Sequence, residues 1–476
     1  MTSTEYDLIV LGAGPVGENV ADRAVQGGLS VVLVEHELVG GECSYWACMP
    51  SKALLRPAQV LRAARQVAGA RQAVTGDLDV PAVLARRDEF ASHWSDKGQA
   101  AWVASAGISL ERGHGRITGP KEVTVTTPDG RETVLTARHA VAVSTGSAAL
   151  VPDIEGLRAA RPWTSREATS AKEAPASLTV IGGGVVGVEM ATAYAGFGTR
   201  VTLISRSGLL DGMEPFAGEA VTKALREQGA TVLLDTRTTR VTRDEAGVTV
   251  ETGDGPTVTT EEVLVATGRT PRTGDIGLDA IGLTPGDWIE TDDTMLVPGF
   301  DWLYAVGDVN RRALLTHQGK YQARAAGDVI AARAKGVPVE DAPWGVHVAT
   351  ADHTAVPQVT FTDPEVASVG LTAEAARAAG HDVRVVDYEM GGVAGASVRL
   401  DGYAGHARMV VDVRREVVLG VTFVGPEVGE LLHAATIAVV GEVPLDRLWH
   451  AVPAYPTVSE IWLRLLEAYG RPSRAG

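Results

Sequence analysis

Two strand–glycine turn–helix–strand repeats and a C-terminal stretch of alternating strands predict the fold class. It is α/β, with two Rossmann-like dinucleotide-binding domains followed by a C-terminal α+β domain. The first repeat opens the chain: Tyr6 to Leu11 is apolar, Gly12-Ala13-Gly14-Pro15-Val16-Gly17 turns, a helix runs to Gly28, and Leu29 to Val34 is apolar again. The second lies 170 residues on, with Leu178 to Ile181, then Gly182-Gly183-Gly184-Val185-Val186-Gly187, a helix through Gly198 and a strand from Arg200 to Ile204. Gly12 and Gly182 allow the tight turn. Gly14 and Gly184 let backbone approach a pyrophosphate, and Gly17 and Gly187 let helix and strand pack. The anion then sits at a helix N-terminus, where free amides and the dipole favour it.

Between the repeats, residues 56–87 read as Ala- and Arg-rich helical surface, and Lys121 to Val134 alternates like a hairpin turning at Pro128-Asp129-Gly130. Gly and Pro become frequent from Gly268 to Pro298, the composition shifts near Pro343 to Pro357, and strands at Ala407 to Val413 and Val417 to Val424 follow. These shifts divide the chain into residues 1–150 with 270–345 (first nucleotide domain, discontinuous), 151–269 (second) and 346–476 (third).

The two repeats differ where a ribose would be read. Twenty-three residues after the first glycine stand Glu35 in one and Ser205 in the other. Glu35 accepts hydrogen bonds from a ribose diol and repels a 2′-phosphate. Ser205-Arg206-Ser207 offers hydroxyls and a cation instead, which favours NADPH over NADH in the second site.

With 43 Lys+Arg against 59 Asp+Glu, the chain carries a formal charge of −16, which argues against nucleic acid and anionic membranes as partners. The start Met1-Thr2-Ser3-Thr4-Glu5 has no secretory pattern and no segment approaches a membrane span, so a cytoplasmic location is expected. In that compartment the only two cysteines, Cys43 and Cys48, point to redox chemistry. Structural zinc needs four ligands, and no His lies between or beside this pair, so no metal site is expected. Pro50 and Ser51 suit a helix start, which puts Cys48 at a positive helix end with Lys52 close behind, and both lower a thiol pKa.

The segment Gly40-Gly41-Glu42-Cys43 through Cys48 to Pro50-Ser51-Lys52 resembles the flavoprotein pyridine nucleotide–disulfide oxidoreductases, the family of dihydrolipoamide dehydrogenase, glutathione reductase and mercuric reductase. Ser144-Thr145-Gly146, the second glycine turn with Glu189, Ala266-Thr267-Gly268-Arg269 and Tyr304-Ala305-Val306-Gly307-Asp308 follow in family order. The resemblance spans nearly the whole chain. It implies FAD on Gly12, Gly14, Gly17, Glu35, Gly41, Lys52, Thr145, Gly146, Asp308 and His317, and NAD(P)H on Gly182, Gly184, Gly187, Glu189, Ser205, Arg206 and Gly268. It further implies that Cys43 is the interchange thiol and Cys48 the thiol nearest the flavin. Lys52 and Glu189 look like the ion pair near the flavin N5, and Leu315-Thr316-His317-Gln318 like the start of the helix facing its pyrimidine side. Electrons are then expected to pass from NADPH through FAD and a Cys43–Cys48 disulfide to a small-molecule acceptor. The C-terminal domain is expected to form a homodimer.

One departure bears on the chemistry. Where the family has His-Pro-Thr-x-x-Glu, this chain has Tyr455-Pro456-Thr457-Val458-Ser459-Glu460. With an ordinary pKa near 10 against about 6.5 for histidine, Tyr455 is a poor base at neutral pH, although it still donates a proton or hydrogen bond. Tyr455 and Glu460 therefore stand as the candidate C-terminal acid/base residues, with His450, five residues earlier, as the alternative to Tyr455, although a structural or surface histidine is the favoured reading of it. Mercuric reductases also carry tyrosine near this place, but they use a further C-terminal cysteine pair. This chain ends Arg471 to Gly476 without one and begins directly on its first unit, so neither a second thiol relay nor an appended metal-binding domain is expected. Tyr45 and Trp46 either shape a pocket for a planar substrate or pack beneath the flavin. The leading expectation is reduction of a disulfide or other small electrophile. The alternatives are a quinone or mercuric-ion-type reductase and, outside enzymes, a redox-sensing flavoprotein subunit.

Overall fold

A computed structural model describes residues 3–471. The end of the tail, 472–476, lies outside the described residues. The chain forms two compact units, one of residues 1–50, 87–150 and 269–353, the other of 51–86, 151–268 and 354–476.

The first unit is built on a seven-stranded sheet. Ser109–Arg112, Val31–Glu35, Ser3–Leu11 and Glu132–Val143 run parallel in that order, and Leu303–Ala305 joins Glu132–Val143, also parallel. The antiparallel strands His114–Gly119 and Glu122–Thr126 extend it, with the turn where Pro128-Asp129-Gly130 places it. The strands read as unbroken apolar runs because both faces are covered. Leu8, Val10, Val31 and Leu33 enter one core with the helices Pro15–Gln26 and Thr316–Lys335, while Ile9, Leu11, Val32 and Val34 enter the core on the other face.

In the second unit, Thr231–Leu233, Arg200–Ile204, Ser177–Ile181 and Glu262–Val265 form a parallel sheet. Its tight turn admits only glycine at two places. Gly182 has φ +122°, and a Cβ there would stand 2.2 Å from the Ala266 carbonyl oxygen; a Cβ on Gly187 would stand 2.0 Å from that of Gly182. A five-stranded antiparallel sheet follows in the order Gln358–Thr360, Glu365–Gly370, Val417–Gly425, His406–Asp412, Val383–Glu389. Helices Leu432–Val440 and Ile461–Tyr469 pack against it. No described helix is long and apolar enough to cross a membrane.

Candidate redox site

Helix Gly41–Tyr45 carries Cys43, and Cys48 is the first residue of helix Cys48–Gln66. Both sulfurs are free thiols, partly buried and in hydrogen-bonding contact. Bonding to Cys48, then burial, hold the Cys43 thiol well above its ordinary pKa, while Thr316 and Lys320 draw it down. Cys48 sits at the helix end that favours an anion, which makes it the better placed of the two sulfurs to carry charge.

The loop between the sulfurs is locked within the first unit. Tyr45 is 1% exposed, and its hydroxyl donates to the Val39 carbonyl at 3.0 Å and also bonds Gln99, whose amide donates to Ser44 Oγ at 2.9 Å. Trp46 packs edge-on to Tyr45. Tyr45 is thus structural packing and does not line a substrate pocket. Glu42, next to Cys43, is paired with Arg272 at 2.6 Å.

The pyrophosphate cradle is present in the same unit. Helix Pro15–Gln26 has Gly14 at its N-cap and no side chain capping it. A Cβ on Gly14 would find nothing nearer than the Gly41 Cα at 4.0 Å, so the turn is open to an approaching group. Gly41 has φ +54° and passes so close to Gly14 that a Cβ would lie 2.9 Å away, which explains its place beside the cradle. Glu35 is buried; Oε2 accepts from the Ala13 amide and Oε1 from that of Glu37, each at 2.8 Å, so the carboxylate is fixed with lone pairs to spare. Ser144 Oγ and Glu18 Oε1 are buried without a partner, and burial pushes the Glu18 carboxyl up to about 7. Thr145 Oγ donates to the Arg272 carbonyl, and the Gly146 carbonyl accepts from the Arg272 amide. Asp308 accepts from Ser147 Oγ, which in turn accepts from Arg269. Orphaned polar atoms beside an open glycine turn and an anchored acidic group fit FAD, which Gly12, Gly14, Gly17, Glu35, Gly41, Thr145, Gly146 and Asp308 would hold.

In the second unit, Lys52 Nζ donates to Glu189 Oε2 at 2.8 Å, the Phe361 amide donates to Glu189 Oε1 at 2.9 Å, and the ammonium lies 4.8 Å from the centre of the Phe361 ring. Gly184 is the uncapped N-cap of helix Val185–Gly196, with open space where a Cβ would be. Ser205 is buried, its hydroxyl donating to the Gly208 carbonyl, whereas Arg206 is exposed and pairs with no described residue. Gly268 has φ +139°. An anion-ready turn with a free cation at the end of the next strand fits a pyridine nucleotide.

The structure does not join the C-terminal acid/base residues. Tyr455 is 76% exposed and pairs with no described residue. Glu460 is 6% exposed and gives Oε1 to Arg464 at 2.6 Å, leaving Oε2 buried and unbonded. His450 and His317 are exposed. Among the described residues no group of three or more His, Cys, Asp or Glu could hold a metal ion. Reading the sequence missed the roles of Thr316, Ser147, Arg269, Arg272 and Gln99; of these only Thr316 and Arg269 stood in motifs already singled out.

Two nucleotide-binding folds, one opening straight into a dithiol, define a flavoprotein oxidoreductase of the two-dinucleotide class. The profile described as "Pyridine nucleotide-disulphide oxidoreductase" matches residues 6–328, and that of the family's dimerisation domain matches 356–465. The chain belongs to the pyridine nucleotide–disulphide oxidoreductase family, whose members are FAD-dependent, take electrons from NAD(P)H and work through a redox-active disulfide. It is 31% identical to the dihydrolipoyl dehydrogenase of Zymomonas mobilis, over 98% of each chain, and 33% identical to that of Chlorobaculum tepidum, over 96% of each. It is also 30% identical to leghemoglobin reductase of Vigna unguiculata, over 96% of this chain and 86% of that one. In fold it matches the Cu(II) complex of the HOCl-induced flavoprotein disulfide reductase RclA from Escherichia coli, with TM-score 0.83 and 23% identity over 98% and 99% of the two chains.

Proposed function

We propose that this flavoprotein disulfide oxidoreductase prefers NADPH and acts as a homodimer, reducing a disulfide or another small electrophile through Cys43 and Cys48. The observation that carries the reading is the contact of the two sulfurs with Cys48 at the first helical residue. FAD, when bound, supplies the two-electron relay between nicotinamide and sulfur. Cys43 holds the proton at rest and exchanges with the acceptor as a thiolate, its proton passing to the departing acceptor sulfur, while Cys48 holds the charge until it closes the disulfide. Lys52, one turn along the same helix from Cys48, is held in one position by Glu189. Domain roles follow the same reading: 1–150 with 270–345 for FAD, 151–269 for NAD(P)H and 346–476 for the dimer. The free Arg206 supports 2′-phosphate recognition. Arg206→Glu should raise KM for NADPH roughly tenfold, the worth of one charge-assisted contact, and leave that for NADH nearly unchanged. Equal changes for both coenzymes in steady-state kinetics would reject the preference.

A second reading, delivery of electrons to a quinone-type acceptor, is favoured by one observation. Tyr455 is exposed and pairs with no described residue that would make it a base, so an acceptor needing no positioned proton donor is served as well. A steady-state panel of disulfides, quinones and Hg(II) with NADPH separates the two.

A further inference from the structure

We infer that Thr316, seconded by Lys320 one helical turn further on, holds the negative charge of the reduced cysteine pair from within the same chain. The inference rests on the dithiol reading above. Reduction of the Cys43–Cys48 bond by two electrons from NAD(P)H, with uptake of one proton, leaves one S–H and one S⁻. In the family, an imidazole from the C-terminal segment would stand ready to balance that charge. Here position 455 is an exposed tyrosine.

The helix Thr316–Lys335 supplies the alternative. Its N-cap, Leu315, has no side chain that could cap the first-turn amides, and Thr316 is its first residue. Thr316 Oγ lies 3.3 Å from Cys48 Sγ, and the same hydroxyl bonds toward Cys43. A hydroxyl has one proton to give. With the Cys43 proton already directed at Cys48, the thiolate on Cys48 is the better acceptor, and Thr316 donates to it. Lys320 follows at i+4, hence on the same helix face, and is half-buried. Its charge reaches Cys43, so it stands within electrostatic range of the pair. The titratable and charged groups acting on Cys43 within this unit are Cys48 and Lys320, and Lys320 also acts on the buried Glu18 carboxyl of helix Pro15–Gln26. The nearby Glu42 is occupied by Arg272.

The test is the pH dependence of iodoacetamide alkylation in the pre-reduced holoenzyme, with the modified cysteine located by mass spectrometry. Thr316→Val should move the midpoint up by about one pH unit, which makes alkylation roughly tenfold slower below it. Thr316→Ser should restore the wild-type midpoint. Lys320→Met should move it in the same direction by less, and Lys320→Arg should not. Unchanged midpoints in both Thr316→Val and Lys320→Met, at wild-type FAD content, would overturn the inference. If Thr316→Val does not retain FAD, Lys320→Met decides alone: an upward move supports the inference and an unchanged midpoint overturns it. A wild-type protein whose thiols show no such titration would instead contradict the dithiol reading itself.

Discussion

Replacing Cys48 by Ser should lower NAD(P)H-dependent disulfide reduction by at least ~10³-fold, because a serine hydroxyl is neither oxidised to a disulfide nor ionised at neutral pH. Fold and FAD content should survive. Cys48 is only partly buried, and the loop around it is held by Tyr45, Gln99 and the Glu42–Arg272 pair rather than by its sulfur. The same variant should lose the long-wavelength absorbance that a thiolate lying against a flavin produces on two-electron reduction. Cys43→Ser should keep that absorbance, since it removes the thiol that exchanges with the acceptor and leaves Cys48 in place. Anaerobic titration with NADPH, read across the visible spectrum, checks both. A Cys48→Ser protein with undiminished disulfide reduction would refute the assignment.

The second large effect is expected at Glu189. Its carboxylate is 3% exposed and carries two bonds, from the Lys52 ammonium and from the Phe361 amide. Glu189→Ala orphans both donors. The amide costs about 1–3 kcal/mol when left unpaired. The ammonium adds less than a fully buried charge would, because the Lys52 side chain is 35% exposed and water reaches it. A loss of about 2–3 kcal/mol in denaturant unfolding is therefore expected. Glu189→Gln keeps an acceptor for the amide and loses the charge, so it should recover roughly half of the stability. Activity should fall in both variants by ~10²-fold, because both release Lys52 from its fixed position. If Glu189→Gln keeps full activity, the pair is a structural tie and nothing more.

The parts of the fold that were legible in the sequence are those with local causes. Leu8 to Leu11 and Leu178 to Ile181 are short apolar runs because both faces of a parallel strand are buried, Gly17 and Gly187 are fixed by backbone contacts inside one turn, and Gly12 and Gly182 by the positive φ the turn requires. The Pro128-Asp129-Gly130 turn is local in the same sense. The cysteine pair was legible for a different reason, since its two members stand five positions apart in a chain with no other cysteine. What could not be read are the partners that folding brings from far away. Thr316 meets Cys48 across 268 residues, Arg272 meets Glu42 across 230, and Ser147 meets Asp308 across 161, and no periodicity announces such pairs. Glu460 is the instructive case. By position it belonged with Tyr455, yet Arg464 stands four residues on, at the spacing where a helix brings opposite charges together, and the arginine takes the carboxylate. For Tyr45 the sequence left a pocket for a planar substrate and packing beneath the flavin both open; its hydroxyl finds a carbonyl inside the loop and its ring is buried, which favours packing.

The central claim is that Cys43 and Cys48 interconvert between disulfide and dithiol with electrons from NAD(P)H. Because the chain holds only these two cysteines, a thiol count in denaturant tests it without interference. The air-oxidised protein should show no titratable thiol, and after anaerobic reduction by NADPH and quenching into denaturant it should show two per chain. Two thiols both before and after reduction, or none in either state, would contradict the account.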